Sequence, residues 1–164
     1  MTGIEPIKEL REIGYSNGLS EADIVDGDGT RLDYAAYSFD LVCEFGVLHH
    51  LRNPDKAVSE MTRVASNAIF ISDTNNFGQG SYIKRSAKRI INFLGLCRVA
   101  DLLKTRGTGF SVSDGDGVAY SYSVLRDYKQ ILNQCTIVHL LNSRASGCNL
   151  YRSTGHVALL GMKK

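Results

Sequence analysis

No two cysteines of this chain stand close enough in sequence to form a CxxC pair: Cys43, Cys97, Cys135 and Cys148 are far apart. That spacing argues against a short-loop zinc or dithiol framework, and three of the four lie in apolar segments. Free buried thiols in a reducing, cytoplasmic compartment are the simplest expectation. Long hydrophobic runs are also missing. The richest stretch, Ile90 to Leu103, is interrupted by Asn92, Arg98 and Asp101, well short of the roughly eighteen apolar residues a span needs. No membrane partner is therefore expected. The opening MTGIEPIKEL has no basic region ahead of an apolar core, so it does not read as a signal peptide. Neither a repeat period nor a low-complexity segment occurs.

What is present suits one ordinary domain over 1–164. The chain has 164 residues, 43% hydrophobic and 22% charged, enough to bury a core but too short for two comfortable ones. Charge is unevenly spread: residues 1–60 hold 12 acids and 5 bases, and residues 61–164 hold 5 acids and 14 bases. Lys84, Arg85, Lys88 and Arg89 crowd one helical stretch. A nucleic-acid surface can look like this, but a solvated helix face is commoner, and aromatic side chains placed for base stacking are absent.

The stretch SFDLVCEFGVLHHL, Ser38 to Leu51, organises the rest. Phe39, Leu41, Val42, Cys43 and Phe45 make a β-favouring run that reads as a strand buried on both faces, closed by Gly46 and followed by a helical turn. Before it, TGIEPI reads as a strand tail, Pro6 opens a weakly amphipathic helix that Asn17-Gly18 stops, and Ala22 to Val25 is a brief strand running into DGDGT. After it, Pro54 starts a helix with Ala57, Met61, Val64 and Ala65 on one face, and AIFIS at 68–72 is a strand. Tyr82 to Arg106 reads as one long basic amphipathic helix, and FSVSDGDGVAYSYSV at 110–124 as irregular chain. Leu125 to Asn133 is a short helix, and 136–141 and 156–162 are a closing pair of strands. This alternation predicts an α/β fold with an open, mostly parallel Rossmann-like sheet, helices on both faces and an antiparallel C-terminal strand pair.

Acids fall at or near successive strand ends: Glu5, Asp28 and Glu44. In a doubly wound sheet, a carboxylate at a strand tip is placed to accept hydrogen bonds from ribose hydroxyls. Taken in order, GIEP, DGDGTRL ahead of YSFDLV, GVLHHLRNPDKAVSEMTRV and AIFISDTN resemble the class I, Rossmann-like S-adenosylmethionine-dependent methyltransferases. The resemblance covers roughly residues 3–75. It implies S-adenosylmethionine as cofactor and methyl transfer to a small-molecule or glycan acceptor.

Carried over residue by residue, the resemblance puts Glu5 on the ribose, Ile7 against the adenine and Asp28 with Gly29 at the adenine edge. Glu44 and Phe45 would lie beside the methionine portion, and His49 would face the transfer site as a catalytic base. The 78–124 segment, with Tyr82, Tyr120 and Tyr122, would face the acceptor. The family's glycine-rich loop after its first strand has no counterpart here, since only Met1 precedes Thr2. The resemblance thus implies a copy whose first strand is missing, with impaired activity.

Two rivals share some of these features. A nucleotide-dependent oxidoreductase would use a strand-end acid but needs its own glycine loop. A non-catalytic binding module of the same fold would dock a partner through the basic helix. No metal is expected: His49 and His50, adjacent on one turn, point about 100° apart and rarely hold one ion together. The two DGDG segments lack the glutamate a calcium loop carries at its twelfth position. Nothing in the sequence specifies an oligomeric state.

Overall fold

A computed structural model describes residues 1–114, 117–142, 149–150 and 154–163; the expectation of a buried thiol at Cys148 lies outside them. In chain order the elements are β1 (Gly3–Ile4), α1 (Lys8–Ser16), β2 (Ile24–Val25), β3 (Phe39–Phe45), α2 (Pro54–Val64), β4 (Ala65–Thr74), α3 (Tyr82–Phe93), α4 (Cys97–Lys104), β5 (Phe110–Ser113), β6 (Gly117–Tyr120), α5 (Val124–Gln134), β7 (Ile137–Asn142) and β8 (His156–Met162). Single 3-10 turns stand at Leu48–His50 and Asn76–Gly78.

β4 is the hub. Its alternation buries Ala65, Ile69, Ile71 and Asp73 on one face. It pairs in parallel with β3 and antiparallel with β8, which in turn pairs antiparallel with β7, giving the order β3-β4-β8-β7. β1 and β2 form a separate parallel pair. The mixed α/β architecture is the expected one: parallel where strands are joined through helices, antiparallel at the closing pair.

Two helices cover the buried face. α2 has Pro54 in its first turn and buries Ala57, Val58, Met61 and Val64. α5 buries Val124 and Ile131. Both meet Ile69, Ile71 and Leu159 in the hydrophobic core. The other face of the sheet is left more open: Leu41 and Phe45 are 52% and 69% exposed. β3 is therefore not buried on both faces; its register sends Val42 and Glu44 inward and Leu41, Cys43 and Phe45 outward. Helices on both faces were expected, and the two that build the core share one. For the same reason Cys43 is an exposed free thiol, Cys97 is half-buried, and only Cys135 of the described cysteines is buried.

Two local expectations also change. The long helix over 82–106 is two helices, α3 and α4, because Gly95 takes φ 71, a conformation that ends a helix turn. The stretch after it is not irregular: β5 and β6 pair as an antiparallel hairpin, with Phe110 opposite Tyr120. Among the described residues no helix is long and apolar enough to cross a membrane.

Candidate active site

Glu44 is the last inward-facing residue of β3 and Asp73 the last buried one of β4, so the parallel register brings two carboxylates to the same end of the same face. Glu44 Oε1 accepts from the backbone N–H groups of Val47 and Leu48 and so caps the 3-10 turn that carries His49. Its carboxyl also shares a hydrogen bond with Asp73. Burial, reinforced by the neighbouring Asp73 charge, outweighs those two N–H donors and pushes the Glu44 carboxyl up to about 8. At neutral pH this side chain is mainly protonated.

Asp73 is fully buried and spends its oxygens on the turn opposite. Oδ2 accepts the His49 backbone N–H at 3.2 Å, and Oδ1 lies 2.7 Å from His49 Nδ1. Donation from Nδ1 to Asp73 Oδ1 would leave the ring's lone pair on Nε2. The His49 side chain is 14% exposed. Its neighbour His50 turns aside, Nδ1 lying 2.7 Å from the Val118 carbonyl oxygen on β6. The two rings nevertheless lie against each other, with centroids 4.0 Å apart, while their Nδ1 atoms take different partners.

His49 lines a cavity of about 210 Å³. Thr74 and Asn76 at the exit of β4, Lys104 on α4, and Tyr120 and Tyr122 from the stretch after β5 complete its mostly polar wall. Of the three tyrosines expected to face the acceptor, Tyr120 and Tyr122 line this cavity, whereas Tyr82 is 79% exposed. Tyr122 is buried, and its hydroxyl donates to Asp127 Oδ2 at 2.6 Å. Burial raises both groups, and the Asp127 charge pushes the Tyr122 hydroxyl higher still. Asn75, wholly buried, ties the exit loop down, donating to the carbonyls of Thr154 and Leu150 and accepting from Phe77 N–H and Ser123 Oγ.

The remaining sequence-predicted residues lie apart from the Glu44–Asp73–His49 cluster. Glu5 follows β1, its Oε1 accepting the Ile7 backbone N–H at 2.9 Å, and Ile7 is 50% exposed. Asp28 turns on its own loop: both oxygens accept from Thr30, which holds its carboxyl below the usual range. Gly29 is open, with no atom near where a Cβ would stand. Phe45 points outward and packs obliquely on Phe70, with ring centroids 5.5 Å apart. Glu5 and Asp28 thus belong to the β1–β2 end, and Glu44, Phe45 and His49 to β3. Asp73 was missed. Its only signal in the sequence was its place directly after AIFIS, where an acid also reads as an ordinary turn.

Residues 1–70 match the family model described as a methyltransferase domain. No curated protein matches the chain. Solved structures share its fold at low identity. A S-adenosylmethionine-dependent methyltransferase from Mesorhizobium loti superposes with TM-score 0.64 at 11% identity, over 99% of this chain and 79% of that one. One from Methanosarcina mazei gives 0.60 at 15% identity, over 99% and 81%. The N-terminal domain of EvdMO1, solved with SAH and D-fucose, gives 0.57 at 16% identity, over 99% and 66%. The methyltransferase-domain match is thus confined to the first 70 of 164 residues, and over its whole length the chain shares the fold of these solved methyltransferases.

The cofactor named for these fold relatives is S-adenosylmethionine. The residues present fit it in part. The buried carboxyl of Glu44 is already engaged by Asp73 and by two backbone N–H groups, and Glu5 follows β1 with its Oε1 on the Ile7 N–H. The Asp28 carboxylate must release Thr30 before it meets an adenine edge.

Proposed function

We propose that this methyltransferase moves a methyl group from S-adenosylmethionine to an oxygen or nitrogen of a small polar acceptor held in the cavity beside His49. The observation that carries this is the His49–Asp73 pair: a ring locked through Nδ1 on a buried carboxylate at 2.7 Å, on the wall of a polar cavity. Bound S-adenosylmethionine supplies an electrophilic methyl on a cationic sulfur and leaves as S-adenosylhomocysteine. His49 Nε2 takes the proton that the acceptor sheds, and Asp73 stabilises the imidazolium that results. Alignment of acceptor and methyl supplies most of the rate, and the base adds to it.

Glu5, Ile7, Asp28 and Gly29 would hold the nucleoside, with Glu44 and Phe45 beside the methionine end. The wall formed by Asn76, Lys104, Ser121 and Thr74 offers donors and acceptors suited to a hydroxylated molecule. A glycan fits that chemistry, and a fold relative was solved with D-fucose. The exposed free thiol of Cys43 favours a reducing compartment such as the cytoplasm.

A binding-only module is the second reading, favoured by one feature: Asp28 is satisfied within its own loop and the β1–β2 pair stands apart from the main sheet. Titration calorimetry with S-adenosylmethionine, followed by an acceptor screen that reads S-adenosylhomocysteine, separates the two. Binding lost in Glu5→Ala and turnover lost in His49→Ala support the transferase. A folded sample that gives no heat with the cofactor sinks it.

A further inference from the structure

α3 and α4 are amphipathic in the wrong direction for a core helix. Along α3, Ile83, Ala87, Ile90 and the following Leu94 recur at helical spacing, yet Ile83, Ile90 and Leu94 are 79%, 60% and 58% exposed. Val99 and Leu103 of α4 do the same, at 54% and 77%. No residue of either helix is buried. It is their polar side that meets the protein. Lys88 Nζ donates to the backbone and side-chain oxygens of Asn76 at 2.8 and 2.7 Å, Arg85 Nε donates to the Gly80 carbonyl, and Asp101, Lys104 and Thr105 line the cavity. α2 and α5, built from the same period, bury their stripes instead. At the hairpin tip Phe93 is 88% exposed, the highest of these side chains.

The charge around the exposed stripe is of one sign. Residues 82–106 contain seven bases and a single acid, Asp101, which is turned toward the cavity. Lys84, Arg98 and Arg106 are exposed beside the apolar side chains. We propose that the α3–α4 hairpin docks this methyltransferase on a bilayer that carries anionic phospholipid. Phe93, Ile83 and Leu103 enter the acyl boundary and the three exposed bases meet the phosphates. The absence of a crossing helix does not bear on this, because lying on a membrane and spanning it are separate properties. A second copy bound through the same face would set bases against bases, which a two-fold contact cannot avoid. Because α4 shows its other side to the cavity, a docked hairpin also opens that cavity close to the lipid surface.

The test is co-sedimentation of the whole chain with vesicles of phosphatidylcholine containing about 30 mol% phosphatidylglycerol, against pure phosphatidylcholine, at low and high salt. Turnover plays no part in the readout, so the outcome is independent of the methyl-transfer reading. Expected are binding to the anionic vesicles, little to the neutral ones, and release by salt. Partitioning should fall about fivefold in each of Lys84→Ala and Arg98→Ala, and by about tenfold or more in Phe93→Asp. Far-UV circular dichroism checks that the exposed substitution leaves the fold intact; if it does not, lipid composition and salt alone decide. Equal binding to both vesicles, or none, overturns the proposal. So does a lipid-free dimer by sedimentation velocity that Phe93→Asp disperses while vesicles capture nothing.

Discussion

His49 Nδ1 lies 2.7 Å from Asp73 Oδ1, and the two residues come from the ends of neighbouring parallel strands. The same carboxylate takes the His49 backbone N–H through Oδ2, so one side chain sets both the position of the turn and the tautomer of the ring. Glu44 completes the arrangement by capping that turn from β3. A core built on β3 and β4 therefore leaves a pre-oriented imidazole at its rim.

Under the proposed methyl transfer, His49→Ala should lower kcat by about 10²–10⁴-fold, the range of a lost general base, with little change in cofactor affinity. Asp73→Asn should fall about as far, because an amide that donates to Nδ1 leaves the ring proton on Nε2, where no base is then available. Single-turnover formation of S-adenosylhomocysteine measures both. An undiminished kcat in His49→Ala would assign the rate to alignment alone.

Glu44 makes stability depend on pH with an unusual sign. Its folded value of about 8 lies above its ordinary 4.5, so the folded chain keeps a proton that the unfolded chain has released. The contribution is complete below pH 4.5 and is lost as pH rises through 8, at roughly 1.4 kcal/mol per pH unit inside that window. Thermal melts should drop by about 2–4 °C for each kcal/mol lost. Asp23, Asp28 and Glu60, all held low by hydrogen bonds, lose stability in the other direction, as pH falls. The difference between the protein and its Glu44→Gln variant isolates the buried carboxyl: the variant should flatten the alkaline fall. Parallel melting curves for the two between pH 6 and about 9 would place the proton elsewhere.

The sheet was readable because apolar runs near 39–45, 68–72, 136–141 and 156–162 are bounded by polar turns. The helix at 54–64 was equally plain, from Pro54 and the spacing of Ala57, Met61 and Val64. Asp73 was not readable as a partner of His49. Their meeting depends on the β3–β4 register, which a lone acid after a strand does not reveal. Nor was the attitude of α3 readable. Periodicity says that Ile83, Ala87 and Ile90 share a side, and nothing about whether that side meets a core or the outside. The same limit applies to Cys43 and Phe45, whose apolar surroundings in sequence do not tell which sheet face is covered.

Tyr122→Phe tests the polar pair beneath the cavity. The Tyr122 hydroxyl donates to Asp127 Oδ2 at 2.6 Å, with the phenol and the carboxylate both buried. Removing that donor leaves a buried carboxylate short of its partner, a loss of about 1–3 kcal/mol. Urea unfolding should show a lower midpoint with the slope unchanged. Tyr122→Phe with Asp127→Asn should cost less than the two single losses added, because the pair acts as a unit. Strict additivity would show that the bond contributes little.

Gly78 closes the exit loop of β4 against the chain entering β8. A Cβ built there would stand 1.9 Å from the Thr154 carbonyl oxygen and 2.4 Å from its carbon, both backbone atoms that no rotamer change can move. Asn75, three residues earlier, donates to that same Thr154 oxygen at 2.9 Å, so relieving the clash means stretching a buried hydrogen bond. Gly78→Ala should therefore destabilise by at least the 1–3 kcal/mol typical of overpacking, roughly. Because Asn76 and Thr74 on this loop line the cavity, acceptor KM should rise with it while cofactor affinity holds. Urea midpoints and steady-state kinetics on Gly78→Ala check the two effects. An unchanged midpoint would mean that the loop and Thr154 are not packed as tightly as this contact requires.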